Sequence, residues 1–118
     1  MILGDVSGKG IEAASMSALV KTALTAYAWE GAGPARMARS LNSMLMGFSR
    51  VETFVTAFIA KIDLKAGRAT YCSAGHPPTM VIRPESMPLG GGETRGGEVE
   101  LLGCQSGVIG AFESMVYE

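Results

Sequence analysis

The chain has 118 residues, 47% of them apolar, and a formal net charge of −1. That is the size of one modest domain, long enough to bury a core and too apolar to be disordered. The near-zero charge, without any Lys/Arg cluster, excludes a nucleic-acid footprint.

The first residues form a short apolar run, Met1-Ile2-Leu3, followed by Gly4-Asp5-Val6-Ser7-Gly8-Lys9-Gly10. This predicts a strand, a glycine turn and a helix, with the Asp5 carboxylate at the strand end. A carboxylate held beside exposed backbone carbonyls presents oxygen ligands to a hard divalent cation. Gly8 and Gly10 can adopt positive φ and let a metal, a phosphate or another backbone approach closely. The plainer alternative is ordinary strand–turn–helix chemistry, with Asp5 favoured by the helix macrodipole. The phosphate loop of nucleotide hydrolases, G-x-x-x-x-G-K-[ST], is excluded. Only three residues separate Gly4 from Gly8, and Gly10 follows Lys9 where Ser or Thr has to hold magnesium. The dinucleotide fingerprint G-x-G-x-x-G is absent from this turn.

A first helix is predicted over residues 10–29, with Met16, Leu19, Val20, Ala23, Leu24 and Tyr27 on one stripe. Gly31-Ala32-Gly33-Pro34 breaks it, and Pro34 suits the first turn of a second helix over 34–48. That helix places Met37, Leu41, Met44, Leu45 and Phe48 on one face. Its methionines read either as core or as an adaptable binding surface, and helical spacing beside Leu and Phe favours core. The short joint implies antiparallel neighbours.

Residues 54–64 alternate as a strand whose first half is apolar on both faces, predicting burial on both sides. Lys65-Ala66-Gly67 closes a hairpin to a strand over 68–73, and Asp63 reads as turn chemistry. The run Ser73-Ala74-Gly75-His76-Pro77-Pro78 follows. A third strand is expected over 79–83, a flexible loop over 84–97, a short strand over 98–102, a turn segment over 103–110 and an incipient strand over 114–117. Two helices followed by antiparallel strands make the fold class α+β and layered.

The stretch 69–82 is uncharged, holds two prolines and is too short to span a bilayer, so no membrane insertion is expected. No secretory signal pattern is visible. Cys72 and Cys104 lack close spacing, which suits buried thiols in a reducing compartment, and the expectation is a cytoplasmic protein. Neither thiol has a cationic neighbour in sequence to activate it. One His and two Asp cannot make a zinc cluster, and with Asp63 in a turn, Asp5 is the one credible metal carboxylate.

GDVSGKG followed some sixty residues later by SAGHPP, with a helix opening Gly10-Ile11-Glu12-Ala13-Ala14 and Thr53-Phe54-Val55-Thr56 entering a hairpin between them, resembles a known family. It is the bacterial sporulation and stress-response branch of the metal-dependent serine/threonine phosphatases (the PPM family). The resemblance covers nearly the whole chain. It implies a β-sandwich flanked by antiparallel helices, and hydrolysis of phosphoserine or phosphothreonine on a regulatory phosphoprotein such as an anti-sigma-factor antagonist. It implies that Asp5 bridges two Mn²⁺ or Mg²⁺ ions, that the Val6 carbonyl ligates one, and that Ser7, Gly8, Lys9 and Gly10 form the adjoining loop. Ser7 stands where eukaryotic members of the wider family carry a histidine proposed as general acid, a role its pKa does not suit. Lys9 pairs with the substrate phosphate or is simply solvated at a helix start. Ala74, Gly75, His76 and Pro77 form a structural motif; His76, the only histidine, reads either as a catalytic group or, before two prolines at a turn, as a ring whose nitrogen bonds the backbone and locks the loop, and the second is favoured. Family members carry further metal-binding aspartates upstream and downstream of these motifs, so the expectation is a single partial domain over 1–118, inactive alone. The other class of reading is a non-catalytic module that only binds a partner.

Overall fold

Positive-φ glycines punctuate the helical half of the chain. The structure, a computed structural model, describes residues 1–48, 53–83 and 97–118. After strand β1 (Ile2–Val6), Gly8 and Gly10 turn the backbone at φ 101° and 83° into helix α1 (Gly10–Trp29). The helix closes on Gly31 at φ 80°, where Ala32 N–H bonds the Tyr27 carbonyl (3.1 Å) and Gly31 N–H the Ala28 carbonyl (3.0 Å). This pair of bonds satisfies carbonyls that the last turn would otherwise leave open. Pro34 then starts helix α2 (Pro34–Gly47) at the position where its missing N–H costs nothing.

Strand β2 (Val55–Asp63) is the centre of a three-stranded antiparallel sheet, ordered β1-β2-β3, with β3 spanning Arg68–Ala74. The Asp63 carboxylate accepts from the N–H groups of Lys65 (2.9 Å) and Ala66 (3.0 Å), and Gly67 takes φ 62°, completing the expected hairpin turn. On one face of the sheet Val55, Ala57, Ile59, Cys72 and Ala74 meet Val20 and Leu24 of α1 and Met37, Ala38, Leu41 and Leu45 of α2. Side chains such as Leu24 and Leu41 are fully buried there, each contributing about 1.5–3 kcal/mol. On the other face Phe58 is buried and stacks on Tyr71, ring centroids 5.7 Å apart, so the first half of β2 is covered on both sides as its pattern predicts. From Lys61 onward the strand is exposed.

The fold is therefore α+β, with one helical layer on an antiparallel sheet. Strands β4 (Met80–Arg83) and β5 (Glu98–Leu101) form a separate two-stranded sheet, the smaller of two in place of a full sandwich among the described residues. The loop expected over 84–97 lies, except for Gly97, outside the described residues.

Several expectations need correction. No strand forms over 114–117; instead Tyr117 is buried, its one hydroxyl proton shared between Asn42 Oδ1 (3.1 Å) and the Val108 carbonyl (3.0 Å). Side-chain anchoring replaces ladder pairing there. Segment 103–110 is more than a turn: Ile109 exchanges both backbone bonds with Val55 (2.8 and 2.9 Å), and Ser106 bridges to Ala74. Phe48 follows the end of α2 and is exposed, because the helix terminates before its turn faces the sheet. Leu19 sits at the solvent margin of α1's stripe. Cys104 is exposed, whereas Cys72 is buried as expected.

Candidate active site

Alternation along β1 decides what the site residues face. Met1 and Ala60 exchange both backbone hydrogen bonds (2.8 and 2.9 Å). In an antiparallel ladder every second pair repeats that arrangement, so Leu3–Phe58 and Asp5–Thr56 are hydrogen-bonded pairs. Val6 packs toward the helices, and Asp5 therefore stands on the opposite face. The same alternation turns the N–H and C=O of Val6 away from β2, off the open edge of the sheet.

Ser7 closes the ladder in an unusual way. Its N–H donates to the Phe54 carbonyl (2.9 Å), and its hydroxyl oxygen accepts from the Phe54 N–H (2.9 Å), replacing the carbonyl. The chain is thus released from the sheet one residue early and turns through Gly8. Lys9 is extended (φ −151°, ψ 165°) and exposed at the N-terminal boundary of α1, with its side chain making no cap bond. Both glycines hold positive φ, a conformation that strains any other residue.

The second motif reaches the same face from β3. Ala74 is buried, and Gly75 takes φ 63° with its N–H donating to the Ser106 carbonyl (2.7 Å). A Cβ on Gly75 would overlap Val108 Cγ1, so the glycine is required both by φ and by space. This turn brings His76, half-buried, to Thr56: Nδ1 lies 3.2 Å from Oγ1. The ring therefore bonds a side-chain hydroxyl rather than the backbone that its sequence context suggested. Pro77 and Pro78 follow and are exposed.

Asp5, Thr56 and His76 thus share one sheet face, brought there by three different segments. Thr56 is the residue the sequence did not single out as a site. Its strand alternation was readable, but its position opposite Asp5 depends on a register between segments 50 residues apart. Asp63 is separate from them, seven residues along β2 from Thr56, or about 23 Å.

Among the described residues no group of three or more His, Cys, Asp and Glu is placed to hold a metal. The exposed Asp5 carboxylate and the outward Val6 carbonyl are oxygen donors of the kind Mg²⁺ and Mn²⁺ take, and they fit one side of such a site. Two cations need more carboxylates than this. Burial pushes the Cys72 thiol above its ordinary range, which argues against a thiolate nucleophile. A cleft of about 300 Å³ opens at the far end of β1, between Ile2, Pro34, Met37 and Ile62, and none of the site residues lines it.

Asn42 was not legible as a structural residue in the sequence. Buried on α2, it donates to the Phe112 carbonyl (3.0 Å) and accepts from Gly110 N–H (2.7 Å) as well as from Tyr117. It pins the segment whose residues 106 and 108 support Gly75.

Across residues 1–118 the chain matches the family model described as stage II sporulation protein E (SpoIIE). It is 33% identical over 76 residues to phosphoserine phosphatase RsbU of Bacillus subtilis (strain 168), a match covering 64% of this chain and 23% of that protein. To phosphoserine phosphatase RsbP of the same organism it is 25% identical over 122 residues, covering 100% of this chain and 28% of that one. The chain accordingly spans about a quarter of the length of these curated relatives. No solved structure matches it. With both motifs on one sheet face and a family match over its whole length, the chain belongs to the stage II sporulation protein E family, in the sporulation and stress-response branch of the PPM-type phosphatases.

Proposed function

We propose that this chain is part of a metal-dependent protein serine/threonine phosphatase that hydrolyses phosphoserine or phosphothreonine on a regulatory protein, of the anti-sigma-factor antagonist kind. The single observation that carries the reading is an exposed Asp5 carboxylate at the end of an edge strand, directly before a glycine turn and a helix N-terminus. In this account Asp5 and the Val6 carbonyl hold Mn²⁺ or Mg²⁺, with further carboxylates supplied from beyond these 118 residues. Bound there, such ions supply a nucleophilic water at neutral pH and neutralise charge on the phosphoryl group. The protein's own share is positional. Gly8 and Gly10 let the substrate phosphate approach the backbone, and the N-terminus of α1, with Lys9 beside it, favours that anion electrostatically. Ser7 keeps the turn closed on Phe54 and leaves proton donation to water. The site of action is the cytoplasm.

A second reading, a phosphatase-like module that binds a partner without catalysis, has one observation in its favour: among the described residues no group of three or more potential metal ligands forms around Asp5. Mn²⁺-dependent hydrolysis of p-nitrophenyl phosphate by the whole protein that carries this segment, compared with its Asp5→Ala variant, separates the two. Activity lost on substitution supports the phosphatase. Activity that survives it contradicts the role of Asp5, and absence of turnover in both favours the binding module.

A further inference from the structure

We propose that Thr56 and His76 form a hydrogen-bonded positioning pair for the Asp5 site, rather than a fastening that only locks the loop after β3. The inference rests on the reading of Asp5 as a cation ligand. Three observations lead to it. Thr56 is the direct cross-strand partner of Asp5 in a hydrogen-bonded pair, which sets their Cα atoms about 5.5 Å apart with both side chains on one face. Its hydroxyl lies 3.2 Å from His76 Nδ1, so its rotamer is held by a partner on a third segment. That segment is itself fixed: Gly75 is wedged against Val108 and bonded to Ser106, and Ala74 is buried.

A loop fastening would be served as well by a backbone bond, or by a hydroxyl on the helix face. Here the hydroxyl stands on the same face as Asp5, its direct cross-strand partner. A threonine hydroxyl has one proton and two lone pairs, so after bonding to His76 it keeps capacity for a second hydrogen bond. Because both side chains stand on one face of the sheet, that capacity is open to the Asp5 carboxylate or to a water beside it, which it would orient. Partners of this kind fix ligand direction, and losing one typically costs about 10–100-fold in metal affinity. Thr56 and His76 are thus positioning residues acting through Asp5.

The test is Mn²⁺ alone, titrated into the ¹⁵N-labelled chain and followed by paramagnetic broadening of backbone amides, with thermal melting in parallel. Expected in the parent chain is broadening centred on Asp5, Val6 and Thr56, abolished by Asp5→Ala. Thr56→Val weakens the Mn²⁺ response about tenfold, Thr56→Ser restores it, and His76→Ala matches Thr56→Val. The double variant is no worse than either single one, because one bond is lost in each case. Broadening lost in Asp5→Ala but unchanged in Thr56→Val, with or without a lower melting temperature, overturns the positioning pair while leaving Asp5 as a ligand. A Mn²⁺ response that ignores Asp5→Ala, or none in the parent chain, overturns the Asp5 reading and the pair with it.

Discussion

Asn42 and Tyr117 show how single side chains carry this fold. Asn42→Ala removes the acceptor for Gly110 N–H and one of the two acceptors of the Tyr117 hydroxyl at once. A loss of about 1–3 kcal/mol is expected in urea unfolding, and an unchanged midpoint would count against the network. Burial pushes the Tyr117 hydroxyl up to about 12, from an ordinary value of 10.0. The folded chain therefore holds this proton more tightly than the unfolded one. The stability so gained is complete below the unfolded value near pH 10.0 and is lost as pH rises through about 12. Alkaline titration of unfolding should show that slope, and Tyr117→Phe should lack it. None of this was readable from sequence. Asn42 lies in a helix whose apolar face was clear, yet its partners are 68 to 75 residues away, and two of the three are backbone groups, which leave no compositional trace. Asp5, by contrast, stood out because Asp63 is the only other Asp in the chain and reads as a turn residue.

At the level of elements, the helices and the β2–β3 hairpin were legible because local chemistry fixes them. Pro34 starts α2, Gly31 stops α1, and Asp63 with Gly67 turns the hairpin. The 103–118 segment was not, because it joins the sheet by isolated bridges and side-chain anchors instead of a periodic ladder. Gly75 is the junction between the two kinds of element. Gly75→Ala must strain φ and displace Val108, so a loss of about 1–3 kcal/mol is expected, with the amides of 106–109 gaining hydrogen exchange first. Gly47→Ala, at the open end of α2 with nothing within 4 Å of the new Cβ, is the control and should be neutral or mildly stabilising. Equal losses in the two variants would contradict the wedge at Gly75.

The whole molecule is elongated, with extents of 60 × 30 × 23 Å and a radius of gyration of 17.2 Å, against about 13–14 Å for a compact chain of this length. β4 and β5 pair with each other, and Met80, Ile82, Val99 and Leu101 remain exposed on them. Ile11 and Trp29 on α1 and Ile2 and Leu3 on the open edge strand are exposed as well. Unpaired edges and apolar surface of this kind favour association. Sedimentation velocity should therefore show a weight-average mass that rises with concentration; a monomer throughout would contradict this. The same open edge leaves the Val6 carbonyl outward beside Asp5, the two oxygen donors on which the proposed metal site rests. The most direct measurement of that site is electron paramagnetic resonance of free Mn²⁺ titrated with the chain and with Asp5→Ala, both checked for folding by circular dichroism. Weak binding by the chain and none by the variant is expected. Equal binding by both, or by neither, would contradict the proposed site.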